Sequence, residues 1–167
     1  MSILPIVQWP DPRLAQVCAD IPAVTPDIAR LAADMLETMY AAPGRGLAAP
    51  QVGVMQRIFV IDARWKDAEP APVVFINPVL ISVSEDEVTQ DEGCLSIRGV
   101  LAGVTRPARV RMGWTDLQGA QQHAWFEGFE AACVQHELDH LNGVVTLDHL
   151  SEPVRDNLLR LRDAALT

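Results

Sequence analysis

The segment His136-Glu137-Leu138-Asp139-His140 places two imidazoles four residues apart with a glutamate between them. On a helix, positions four apart lie about 6 Å from each other on one face, so both rings can reach a single metal ion. The glutamate then flanks the ion and can trade protons with a bound water. The competing reading is a charged amphipathic helix that contains two histidines by chance. A hydrolytic site of this type takes three protein ligands and keeps a fourth position open for water.

The third ligand is not supplied by the commonest patterns. A metzincin pattern would put a histidine where Thr146 stands, and a thermolysin-like pattern would need a downstream glutamate. Glu152 reads as a helix start and position 160 is arginine. Cysteine remains. Cys133 precedes His140 by two helical turns, a rise of roughly 10.5 Å, so it reads as a small apolar residue of the helix face. Cys18 is far from any other ligand type. Cys94, in Glu92-Gly93-Cys94-Leu95-Ser96, is the choice for the third ligand, with the glycine expected to bend the backbone tightly toward it; a buried thiol beside a turn is the alternative. A further small-residue loop, Gly44-Arg45-Gly46-Leu47-Ala48-Ala49-Pro50-Gln51, lacks the lysine and hydroxyl of a phosphate-binding loop. Taken alone it reads as a glycine-rich turn ending in a surface amide.

These residues must be positioned by a modest scaffold. The 167 residues suffice for one domain with a real core, and 49% apolar against 21% charged residues argue against disorder. A formal charge of −9 disfavours a broad nucleic-acid surface. No window reaches the about 20 apolar residues of a membrane span, and the first ten residues lack the basic-then-apolar order of an export or transit signal. Three cysteines do not make a disulfide framework, so a reducing cytoplasm is expected.

Thr25 and Pro26 open a helix in which Ile28, Leu31, Ala32, Met35, Leu36 and Met39 recur at spacings of three and four, ending near Pro43 and Gly44. Residues 57–62 and 73–83 read as strands on either side of a loop at 66–72. Alternation over 108–114 predicts a half-buried strand, followed by a hairpin turn at 116–119. Phe129, Ala132, Cys133, His136, Glu137, His140 and Leu141 follow helical spacing, with Gly143 at the C-terminal cap. Ser151 is expected to cap a last helix carrying Leu158, Leu161 and Ala165. Helices at the ends and strands in the middle predict an α+β fold rather than βαβ repeats.

Three segments in order, residues 44–51, Glu92-Gly93-Cys94-Leu95-Ser96 and Gln135-His136-Glu137-Leu138-Asp139-His140, resemble the peptide deformylase patterns G-x-G-L-A-A-x-Q, E-G-C-L-S and Q-H-E-x-D-H. The likeness runs over about residues 10–150 and implies one catalytic domain, 1–167, with antiparallel sheets around a central helix carrying the HExxH motif. It implies removal of the N-formyl group from the initiator methionine of nascent chains, by a metal held between Cys94, His136 and His140. Glu137 is then the general base, and the Leu95 backbone N–H and the Gln51 amide stabilise the oxyanion. Gly46, Phe129, Ala132 and Cys133 are candidates to line the methionine pocket, with ordinary core packing as the alternative for the last three.

The donor set suits Zn2+ or Fe2+; the resemblance favours Fe2+ in the cell, with Zn2+, Ni2+ or Co2+ as substitutes. Two departures stand out: Arg45 replaces an apolar residue between the glycines, and Arg98-Gly99-Val100-Leu101 replaces a segment that usually begins with proline. They motivate a second expectation, a related protein with altered substrate preference or weak catalysis that binds peptide N-termini. In the last helix Arg155, Arg160 and Arg162 are offset by Glu152, Asp156 and Asp163, which reads as a solvated face and leaves ribosome docking open.

Overall fold

A computed structural model describes residues 1–166. Helix α1 (Pro26–Ala41) begins where the sequence signals it: the Thr25 hydroxyl accepts the Ile28 N–H and proline occupies the first turn. It buries Ile28, Ala32, Met35, Thr38 and Met39.

Strands β1 (Gly46–Ala48), β2 (Ile58–Ile61) and β3 (Val73–Val83) are followed by the hairpin strands β4 (Glu87–Cys94) and β5 (Ile97–Pro107), and then by β6 (Arg109–Thr115) and β7 (Gln121–Glu127). Five of them form an antiparallel sheet in the order β1-β2-β3-β6-β7, while β4 and β5 form a separate two-stranded antiparallel sheet. Helices α2 (Gly128–Leu141) and α3 (Glu152–Leu166) complete the chain. The α+β expectation holds, with the histidine helix at the centre.

The unbroken apolar run of β2 has a simple cause. Successive strand residues face opposite sides, and here both sides are covered. Ile58 and Val60 pack with α1 through Ala32, Met35 and Met39, whereas Phe59 and Ile61 pack with α2 through Ala131, Val134 and Leu141. The core is therefore two layers divided by the sheet. A third cluster, Leu14, Ile97, Val145 and Leu147, fastens the β4–β5 hairpin to the segment after α2.

Gly143 closes α2 with φ 74°, as its cap position predicts. It also sits where a Cβ would lie 2.7 Å from the Ala15 carbonyl group, so the early chain crosses the end of α2 in space only glycine leaves. The last helix differs from expectation in its inward face. Leu158 and Leu159 are half-buried, Arg162 lies 5.1 Å from the centroid of the Trp9 ring, and Leu161 is exposed. Among the described residues, no helix is long and apolar enough to cross a membrane.

Candidate metal centre and its cavity

Helix α2 presents His136 and His140 on successive turns, with ring centroids 5.0 Å apart. The β4–β5 hairpin supplies the third residue. Glu92 and Cys94, two apart on β4, share its inward face toward α2, and Gly93 between them lies within the strand. The chain turns at Leu95 and Ser96, so the expected glycine bend is not what delivers the sulfur. A strand end does, at a shift in the β4–β5 register between Glu92 and Cys94.

Cys94 Sγ lies 3.5 Å from His140 Nε2, and the donor atoms of Cys94, His136 and His140 all fall within 4.8 Å of one another. Metal bonds of about 2.0–2.3 Å in a tetrahedral set put neighbouring donors about 3.5 Å apart, the spacing of the Cys94–His140 pair. Among the described residues no fourth histidine, cysteine or carboxylate joins this group. One nitrogen of His136 is already committed: Nδ1 meets Glu92 Oε1 at 3.0 Å, which leaves Nε2 for the centre.

Glu92 is itself held by a buried guanidinium. Arg106 donates from Nε to Glu92 Oε2 at 2.7 Å and from one terminal nitrogen to Oε1 at 2.9 Å; its other terminal nitrogen reaches Asp139 Oδ2 at 2.9 Å. His149 closes the chain on Asp139 at 2.8 Å. Burial pushes the Glu92 carboxyl up, but the bonds from Arg106 and His136 outweigh it and hold the group at about 2, fully ionised. Burial above all, with the nearby positive charge of Arg106, keeps His140 neutral, the form in which imidazole binds metal.

Glu137 faces the same space. Its Oε1 is 4.0 Å from His136 Nε2, and its Oε2 is buried with no hydrogen-bond partner among the described residues, a polar atom aimed at chemistry rather than packing. Burial lifts its carboxyl to about 7; His136 counters this and the Glu92 charge reinforces it. Such a value suits a group that takes and returns a proton near neutrality.

Gln51 stands at the end of a short 3-10 turn after β1, fully buried. Its Oε1 accepts the Ala48 N–H at 2.9 Å, which aims the amide nitrogen at Ser96 Oγ (3.0 Å) and Cys94 Sγ (3.7 Å). The surface glutamine suggested by the loop alone is thus an interior donor beside the sulfur.

A cavity of about 280 Å³ opens on this group. Gly46, Phe129, Ala132 and Cys133 all line it, as do Gln51, Leu95 and Glu137. Cys133 also packs against the apolar cluster between α2 and the sheet, so core packing and cavity lining are both true of it. Arg98 is exposed on β5. Sequence reasoning did not assign roles to Glu92, Arg106 or Asp139. The available signal was Arg106 at an inward position of a strand whose neighbours on that face are Ala102 and Val104.

Gly46 has a steric reason to be glycine. A Cβ there would stand 2.7 Å from Glu137 Oε1 and 3.1 Å from its Cγ and Cδ. Gly46→Ala is expected to fold but to displace the carboxylate and lower kcat by about a hundredfold; an unchanged kcat would show that Glu137 tolerates the shift.

The polypeptide deformylase family model matches residues 3–156. The peptide deformylase of Rhizobium meliloti strain 1021 is 47% identical over 160 residues, covering 96% of this chain and 92% of the relative. That of Agrobacterium fabrum strain C58 is 48% identical over 160 residues, covering 96% and 94%. Among solved structures, the Ehrlichia chaffeensis peptide deformylase in complex with actinonin superposes with a TM-score of 0.91 at 38% identity over 100% of both chains. The Legionella pneumophila enzyme gives 0.91 at 37%, over 98% and 95%. Such chain-wide agreement favours the catalytic expectation over a binding-only relative. By sequence and by fold the chain belongs to the polypeptide deformylase family, and it is a metal-dependent hydrolase that removes the formyl group from nascent chains.

Proposed function

We propose that Cys94, His136 and His140 hold one divalent ion, Fe2+ in the cell, in a single catalytic domain spanning 1–167 that acts in the cytoplasm on formyl-methionine N-termini. The observation that carries this reading is the convergence of one sulfur and two imidazoles beside a buried, unpartnered Glu137 on an open cavity. A thiolate with two imidazoles suits Fe2+ or Zn2+ and disfavours Mg2+ or Ca2+; Zn2+, Ni2+ and Co2+ fit the same donors. When bound, the ion supplies Lewis acidity, making water a nucleophile near neutral pH and polarising a carbonyl.

The remaining steps belong to the chain. Glu137 takes the proton of the attacking water and delivers it to the departing amine, so the formyl C–N bond breaks as the amine gains its proton. The Gln51 amide and the Leu95 N–H receive the negative charge that develops on the formyl oxygen. Glu92 fixes the tautomer and orientation of His136 through Nδ1. The methionine side chain lies against Phe129, Ala132 and Cys133. The peptide backbone runs between β1 and β4, each of which pairs on only one side and flanks the cavity.

The direct check is anaerobic purification, metal analysis and a formate-release assay on formyl-Met-Ala-Ala. Turnover should require about one metal per chain, vanish on chelation and return on adding Fe2+, Ni2+ or Co2+. Full metal occupancy without formate release would refute the reading.

A further inference from the structure

The cavity rim carries two cations in a chain of net charge −9. Arg45 and Lys66 both line the cavity. Neither has a role in the chemistry above. The Arg45 guanidinium carbon sits 5.0 Å from the centroid of the Phe129 ring, which orients the planar group at the mouth. Among the described residues its one ion pair is a 3.3 Å contact to Asp67, whose carboxylate is 76% exposed. A contact so exposed to water is weak and easily exchanged, which leaves guanidinium donors for another carboxylate. Lys66 donates to the Pro43 carbonyl at 3.0 Å and adds positive potential on the same side.

Two of the acidic groups nearby have cationic partners. Glu92 is neutralised by Arg106 and bonded to His136. Asp91, exposed on β4, lines the same cavity, so the charge that a peptide side chain meets there depends on Arg45 and Lys66 outweighing it. Glu130 is 3.8 Å from Arg64. An extended chain advances about 3.3 Å per residue. A peptide whose formyl end lies at Glu137 and Gln51 therefore brings its next one or two residues to the rim.

We propose that Arg45 is a specificity-determining residue that favours formyl-methionine chains bearing an aspartate or glutamate on one of the two residues after methionine. This rests on the deformylation reading above and adds a substrate class to it. A cation facing a carboxylate raises kcat/KM, whereas a lysine at the same place meets repulsion and leaves the Arg45–Asp67 contact unchanged.

The test compares kcat/KM of the metal-loaded enzyme on formyl-Met-Glu-Ala and formyl-Met-Ala-Glu with the glutamine and lysine counterparts. At low salt the glutamate peptide should exceed the lysine peptide about tenfold at one of the two positions. Glutamine should fall between them. The preference should collapse to within about twofold in R45Q and in wild type at about 0.5 M NaCl, and persist in R45K. Equal turnover of glutamate and lysine peptides by the wild type, or a salt-insensitive preference, would overturn the proposal. So would a preference that R45Q leaves intact. Should R45Q not fold, R45M serves as the uncharged variant in its place, and a preference that survives in it overturns the proposal. Absence of formate from formyl-Met-Ala-Ala would instead strike at the deformylation reading itself.

Discussion

Glutamine in place of Glu137 is expected to lower kcat on a formyl-methionine peptide by about 10²–10⁴-fold while the metal stays bound and the fold persists. Glutamine keeps the shape of the side chain and cannot accept a proton. Glu137 is almost fully buried, one carboxylate oxygen has no partner, and burial holds its carboxyl at about 7. Those features serve proton transfer and contribute nothing to packing. The melting temperature should therefore be unchanged or higher, because a buried carboxylate without a full set of partners is a burden on the folded state. Metal content measured beside kcat separates the possibilities. Stoichiometric metal with kcat within tenfold of wild type would place the general base elsewhere.

The second large effect concerns a residue that touches no donor. Arg106→Leu should destabilise the protein by about 3–5 kcal/mol, because it leaves the Glu92 carboxylate buried without its guanidinium. Arg106 is 5% exposed and makes two bonds to Glu92 and one to Asp139. Urea denaturation of wild type and variant measures the loss; a change below about 1 kcal/mol would show that His136 alone suffices to hold Glu92. The double variant Glu92→Leu with Arg106→Leu should recover most of that stability, since an apolar pair of similar volume carries no desolvation cost. It should still bind metal about 10–100-fold more weakly, because His136 then lacks the acceptor that orients its ring. Recovery of both properties together would mean that Glu92 serves packing only.

The outcome at β4 shows where sequence reasoning stops. That strand has no apolar alternation to read. Its inward positions at the cavity end, Gln90, Glu92 and Cys94, carry polar or ligand-type side chains where core residues would usually stand, and its outward face meets solvent. The chemistry thus erased the pattern that would have announced the strand. In the same way the run 92–96 reads as a glycine bend, although Gly93 is simply the outward residue between two inward ones. Helix α1 was legible because burial of one face writes a period into the sequence, and strand β2 because burial of both faces leaves a short unbroken apolar run.

The pairing of His136 with His140, the glutamate beside them and the caps of α1 follow from the residues alone, because helical geometry relates neighbours a turn apart without reference to anything else. The three motifs in order also carried the family. What only the packed molecule decided is the company those residues keep: the Cys94 sulfur arriving on a strand end, Arg106 ionising Glu92 behind His136, the Gln51 amide reaching Ser96 and Cys94, and Arg45 stacked on Phe129 at the rim. Each of these contacts joins segments whose approach depends on which faces are buried across the sheet, and a local repeat contains no record of its distant partner.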